Sequence, residues 1–226
     1  MRVTRLQTAL SMRWVAKALG LFAVAAGLAC AGCNTQTPFL GVNPLEANLA
    51  PLPTQAGDPY PETLSALTGK KDAYSWAHGK GYVKASPAAV WKALQDPNVV
   101  IDRKNTDTQS VQLHSEPKYA WSYKIHYTAG NGFAEWWENW RFAVVDGTFE
   151  APTTGLIRYQ KTDGSTYIDL IEGSIYVRAI DGQGGVAIVE MINHVKAVGQ
   201  GADNAKATLD AQYGALLAKV KGKPLP

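Results

Sequence analysis

Cysteine is nearly absent from this chain. Of 226 residues only Cys30 and Cys33 are cysteines, and both lie near the N-terminus. A disulfide framework and a thiolate-ligated zinc site are therefore excluded for everything that follows. Acidic residues are missing from the start of the chain: none occurs before Glu46, whereas Arg2, Arg5, Arg13 and Lys17 do. The formal charge of +3 belongs to that leader and becomes −1 once its four cations are set aside, which removes any electrostatic case for nucleic acid. No apolar run reaches the roughly 20 residues of a membrane-spanning helix. There is no internal repeat, no Gly-x-Ser-x-Gly, no phosphate-cradling glycine loop and no dinucleotide fingerprint. The four histidines, His78, His114, His126 and His194, show no metal-ligand spacing. Neither a metal nor a cofactor is expected.

What is present begins with an export signal over residues 1–32. A basic stretch (1–17) precedes the twelve-residue run "ALGLFAVAAGLA" (18–29) and a set of small residues. "LACAGCN" resembles the lipobox of bacterial lipoproteins, with Ala31-Gly32-Cys33 as its last three positions and Gly27-Leu28-Ala29-Cys30 as a competing frame. The resemblance implies lipidation of Cys33, or alternatively Cys30, and a membrane partner reached through that anchor. The place implied is the periplasmic side of a bacterial envelope, at the outer membrane because Asn34 follows the cysteine. An ordinary secretory signal cleaved near Ala31 is the alternative. Residues 33–72 read as a tether: six prolines fall between 34 and 61, with little periodicity. Its reach is about 30 Å as a coil and about 80 Å as polyproline II. A short helix is conceivable over 61–68.

From residue 73 the pattern is that of a folded domain. "GYVKA" closes a strand. "SPAAVWKALQDP" then has Ser86 as N-cap, Pro87 at the first helical position, an apolar stripe of Val90, Trp91 and Leu94, and a stop at Asp96-Pro97. A second short helix is expected over 97–103. Strands follow, separated by the turn signals Asn131-Gly132, Asp163-Gly164 and "DGQGG" (181–185). The chain ends in "ADNAKATLDAQYGALLAKVKG", where Ala205, Leu209, Tyr213 (or Gln212), Leu216 and Val220 recur at helical spacing over about 28 Å, with Asp203 as cap.

This order predicts an α+β fold in which five or six antiparallel strands curl around one long C-terminal helix, with two short helices after the first strand. "GYVKASPAAVWKALQDP" and the closing helix after "MINHVKAVGQGAD" resemble the helix-grip superfamily (START lipid-transfer domains, birch-pollen allergens and polyketide cyclase-like proteins, together SRPBCC). The resemblance covers residues 73–223. It implies a cavity between sheet and helix that holds an apolar ligand, lipid-, sterol- or polyketide-like.

"AEWWENWRF" (134–142) supplies the wall. With Asn131-Gly132 in a tight turn, opposed residues sum to 263: Tyr127 faces Trp136, Ile125 faces Glu138, Tyr123 faces Trp140 and Trp121 faces Phe142, all on one face. Ser122, Lys124, His126 and Thr128 share the other face with Glu135, Trp137, Asn139 and Arg141. The inner aromatics are either simple core or a ligand wall. Glu138 is the charged exception among them. It is paired with a tyrosine hydroxyl or Lys161, or it contacts ligand, or it transfers protons, although nothing nearby supplies a second acid or base. The same arithmetic at Asp163-Gly164 places Arg158 opposite Asp169 as an exposed ion pair, sets Tyr159 on the inner face, and assigns a bulge to Gly173. Val189, Met191, Asn193 and Val195 continue the inner face, Asn193 being either a ligand contact or a satisfied core residue.

The expected cavity lining is therefore Trp121, Tyr123, Ile125, Tyr127, Trp136, Glu138, Trp140, Phe142, Tyr159, Met191, Asn193, Leu209 and Tyr213. The function that fits is an exported, lipid-anchored carrier of an apolar small molecule. A cyclase or aromatase using Glu138 or Asn193 with a tyrosine, and an interaction lipoprotein with a filled core, are the alternatives.

Overall fold

The computed structural model describes residue 41, residues 43–71 and residues 73–226. The export signal and the cysteine expected to be lipidated lie outside these residues.

Eight strands form one antiparallel sheet: β1 (Leu64–Lys71), β2 (Tyr74–Val83), β3 (Thr108–Leu113), β4 (Trp121–Ala129), β5 (Ala134–Gly147), β6 (Pro152–Gly164), β7 (Ile168–Ile180) and β8 (Gln183–Ala197). Their spatial order is β1-β2-β8-β7-β6-β5-β4-β3. Helices α1 (Pro87–Leu94) and α2 (Pro97–Val100) carry the chain from β2 to β3 at the far edge, and α3 (Ala202–Val220) closes it. The curved sheet with its long C-terminal helix is the helix-grip arrangement, with more strands than the expected five or six.

The helix boundaries follow from their caps. Ser86 accepts a hydrogen bond from the Ala89 amide at 3.2 Å, with Pro87 opening the helix. Asp96 ends α1 and caps α2, accepting from the Asn98 amide at 3.0 Å. The α2 helix stops at Val100, short of the expected 103. The residue that caps α3 is Gly201, not Asp203; its amide donates to the Asn204 side chain at 3.2 Å, and Asp203 lies in the first turn. The apolar stripe of α3 buries Ala205, Leu209, Gln212, Tyr213 and Leu216 against β1, β2 and β8, while α1 lies across β6, β7 and β8.

Two expectations about the N-terminal side fail. Residues 43–71 are not a free tether, and 61–68 is not a helix. The Asn48 amide donates to the carbonyls of Gly79 and Met191, both at 3.0 Å, and the Leu45 amide donates to Ser174 at 3.1 Å. Residues 43–50 thus form a strap on the outer face of the sheet. Beyond it β1 pairs with β2 along its whole length, from Leu64 opposite Gly81 to Lys71 opposite Tyr74. The open edge of β2 offers unpaired amides and carbonyls, and satisfying them outweighs the weak helical propensity of this stretch.

The β4–β5 hairpin has the expected register, Trp121 opposite Phe142 through Ala129 opposite Ala134. Asn131 and Gly132 hold φ of 55° and 83°, the left-handed pair that a tight hairpin turn requires. The β6–β7 hairpin does not follow the expected register. Gly164 belongs to the β5–β6 ladder, opposite Trp136, so the chain turns only at 165–167 and Arg158 faces Ser174. The expected Arg158–Asp169 pair does not form: Arg158 is buried and donates to Gly173 and Asn43 carbonyls, and Asp169 pairs with Lys196 at 2.7 Å. The change of phase in β7 occurs at an irregularity between Ile168 and Leu170, not at Gly173.

Candidate functional site

The inner aromatic face divides into two parts. Toward one end, Tyr123, Trp140 and Phe142 are fully enclosed with Trp91 of α1. Trp140 stacks on Tyr159 with centroids 4.3 Å apart, and Phe142 meets Trp91 and Trp121 edgewise or tilted at 5.4 and 4.8 Å. This half is core. Toward the other end the sheet and α3 diverge around a cavity of about 510 Å³. Its walls come from Tyr127 on β4, Trp136 and Glu138 on β5, Tyr159 on β6, Ile168 and Ile171 on β7, Asn193 and Val195 on β8, and Asn204, Ala205, Thr208 and Gln212 on α3. Phe133, Tyr167 and Val198, exposed at three loop tips, also contribute.

Of the thirteen expected lining residues, the cavity brings together Tyr127, Trp136, Glu138, Tyr159 and Asn193. Trp121, Tyr123, Ile125, Trp140, Phe142, Met191, Leu209 and Tyr213 pack away from it; all but Trp121 are buried in the core. The physical reason is that the rings satisfy one another. A stacked row from Tyr123 through Trp140 to Tyr159 fills its own end of the concave face and leaves no room there for a guest. Sequence reading did not place Gln212, Thr208 or Asp102 in the lining, because polar groups on a helix (Thr208, Gln212) or in the loop after α2 (Asp102) look like ordinary surface positions.

Glu138 is 6% exposed. Its two oxygens accept the indole N–H groups of Trp136 at 2.8 Å and Trp140 at 3.2 Å. Neither the tyrosine nor the lysine partner expected for it takes those positions; Lys161 stands opposite across the ladder, fully buried. Burial drives the Glu138 carboxyl up to about 7, the two indole bonds pull it down, and Asp102 adds to the rise. Behind it Tyr159 donates to Asn193 at 3.0 Å and to the Ile192 carbonyl at 3.2 Å, and Asn193 donates to the Ala205 carbonyl at 3.4 Å. Asn193 is thus held by the protein. Gln212 donates to the Val100 carbonyl at 3.2 Å, and its buried Oε1 has no partner among the described residues. The site therefore presents an apolar chamber with a few fixed hydrogen-bonding groups.

Trp137 points to the outer face, as its register requires, and stacks on His126 at 4.5 Å. That outer face is not wholly solvated. Glu116, on the segment between β3 and β4, accepts from Arg141 Nε at 2.9 Å and from Asn139 at 3.1 Å, which buries both.

No protein-family model matches the chain, and no curated protein does. Among solved structures it is similar to the lipid transfer and protein localization domain of human StarD13, at 9% identity over 75% of this chain and 86% of that one, with a TM-score of 0.48. It is also similar to a STAR-related lipid transfer protein from Xanthomonas axonopodis, at 11% identity over 70% of this chain and 92% of that one, with a TM-score of 0.44. The Zhui aromatase/cyclase from Streptomyces sp. R1128 is a third, at 15% identity over 65% and 91%, with a TM-score of 0.41. On the order and pairing of its own strands, with the terminal helix seated across one half of the sheet, the chain has a helix-grip fold.

Proposed function

We propose that this chain is an exported, lipid-anchored carrier that holds an apolar small molecule, lipid-, sterol- or polyketide-like, in the chamber between α3 and the sheet. The observation that carries this reading is the chamber itself. At about 510 Å³ it lies within the roughly 300–1,000 Å³ range of small-molecule sites, and Tyr127, Trp136, Tyr159, Ile168, Ile171 and Val195 make most of it apolar. A guest with one hydrogen-bond donor, such as a hydroxyl, would satisfy Gln212 Oε1, a buried acceptor that otherwise costs stability.

Export and anchoring rest on the leader sequence. With the strap beginning near Asn43, a lipid on Cys33 would hold the domain by ten residues, at most about 35 Å of extended chain. The domain would work close to its membrane.

Native mass spectrometry of the purified protein, followed by solvent extraction, tests the reading. A bound apolar molecule, or uptake of one from added lipid, is the expected result; an empty protein that takes up nothing sinks it. Glu138→Gln separates carriage from catalysis. A carrier retains the same guest in the same chemical form, whereas an enzyme using Glu138 accumulates an unconverted one.

A further inference from the structure

The strap meets the sheet at a group of side chains that the cavity does not use. His78 on β2 and His194 on β8 lie on the outer face of adjacent strands, and Glu46 reaches them from the strap. The Glu46 Oε1 atom is 2.8 Å from His78 Nε2 and 2.9 Å from His194 Nε2. Both imidazoles are buried, with side-chain exposures of 2% and 4%, whereas Glu46 is 36% exposed and opens the group to water. Trp76 lies against the His78 ring at 4.7 Å and Tyr74 stacks on the His194 ring at 4.5 Å, which fixes both.

Proton positions make the group chemically unusual. His194 Nδ1 is 3.4 Å from Glu172 Oε1, and since a carboxylate only accepts, a bond there needs the proton on Nδ1. The same holds at Nε2, 2.9 Å from Glu46 Oε1. A neutral imidazole carries one proton and donates to only one of these carboxylates; a cation at Nε2 lets Nδ1–H serve Glu172 while Glu46 and Nε2 both act as ligands. A carboxylate behind a histidine whose other nitrogen meets a third group is also how metal-ligating histidines are oriented.

We propose that Glu46, His78 and His194 form a binding site for a divalent transition-metal ion on the outer face of the sheet, with Zn²⁺ the best fit. Two imidazoles and one carboxylate suit a borderline ion, and the three ligand atoms lie within 4.8 Å of one another. Zinc at roughly 2.0–2.1 Å from each needs them about 3.3 Å apart, reached by small side-chain rotations, with water completing the tetrahedron. His78 must change one bond. Its Nδ1 now accepts the Leu49 amide at 2.9 Å, so its proton sits on Nε2. Coordination through Nε2 moves that proton to Nδ1 and releases the Leu49 amide, on an exposed residue, to water. The ion then joins strap, β2 and β8, and acts as a clamp on the segment leading to the proposed anchor.

The test is titration of the untagged full chain with Zn²⁺ by calorimetry in a non-coordinating buffer. Cys30→Ser and Cys33→Ser are included throughout, because two thiols three positions apart would bind zinc themselves. One equivalent is expected to bind, with hydrogen exchange of residues 45–48 slowed on binding and that of the Leu49 amide quickened. Glu46→Gln and His194→Asn should each abolish both effects, and Glu172→Gln, which orients His194 without ligating, should weaken binding about 10–100-fold. If His194→Asn does not fold, Glu46→Gln on the strap decides alone. No binding, or binding unchanged in Glu46→Gln, overturns the proposal.

Discussion

At the scale of single residues, Glu138 shows how far chemistry can be read from placement. The hairpin register alone set it inward between Trp136 and Trp140, and the structure adds that those two indoles are its hydrogen-bond donors. A carboxyl at about 7 in the native state, against an ordinary value of 4.5, binds a proton that the unfolded chain has already released. Its contribution is therefore full below about pH 4.5 and lost as pH rises through about 7, by up to about 3 kcal/mol at 1.36 kcal/mol per unit. Glu138→Gln removes this slope. The amide can accept from only one indole, so the variant should be less stable at pH 5 by about 1–3 kcal/mol, with the gap closing toward pH 8. Urea unfolding of both proteins across that range checks it, and parallel curves would refute it. Gly173 was less legible. Read from sequence as a bulge, it instead leaves space for a ring: a Cβ there would sit 2.2 Å from the Tyr159 hydroxyl and 2.2 Å from the Ile192 carbonyl. Only the three-dimensional approach of Tyr159 reveals that.

At the scale of elements, legibility followed the strength of local signals. Ser86-Pro87, Asn131-Gly132 and the periodicity of α3 each dictate geometry within a few residues, and all three are where the sequence placed them. Asp163-Gly164 is an equally strong turn signal, but cross-strand pairing with Trp136 draws Gly164 into the sheet and the turn moves on. The strap and β1 carried no local signal; prolines and sparse apolar residues resemble a linker until the β2 edge is there to pair with. The group of Glu46, His78 and His194 is invisible for the same reason, since its members come from three segments brought together by the β2–β8 pairing and by the hydrogen bonds that dock the strap. The corrected boundary has a consequence. A chain beginning at residue 43 should melt within a few degrees of the full chain. One beginning at residue 73 loses β1 and every strap contact and bares the β2 edge, so it should melt at least about 10 °C lower or aggregate. Thermal denaturation by circular dichroism compares them; equal melting temperatures would mean that β1 and the strap contribute nothing.

At the scale of the whole molecule, the concave face is divided between a packed core and an open chamber. One half is filled by Trp91, Tyr123, Trp140 and Phe142, a set large and stiff enough to hold the sheet's curvature. The other half is left open, with Ala205, Val195 and Ile171 among its walls. Under the carrier reading proposed above, this is the space in which the guest sits. Ala205→Leu tests this division directly. Ala205 lines the chamber from the buried face of α3, and Leu is nearly as good a helix former as Ala. The added carbons should bury themselves in the void and raise the melting temperature by about 2–4 °C. The same carbons take room from the guest, so uptake of an added lipid, followed by quenching of Trp136, should fall about tenfold or more. If the melting temperature falls instead, the volume beside Ala205 is already filled. If it rises while uptake is unchanged, the guest lies elsewhere and the carrier reading loses its site.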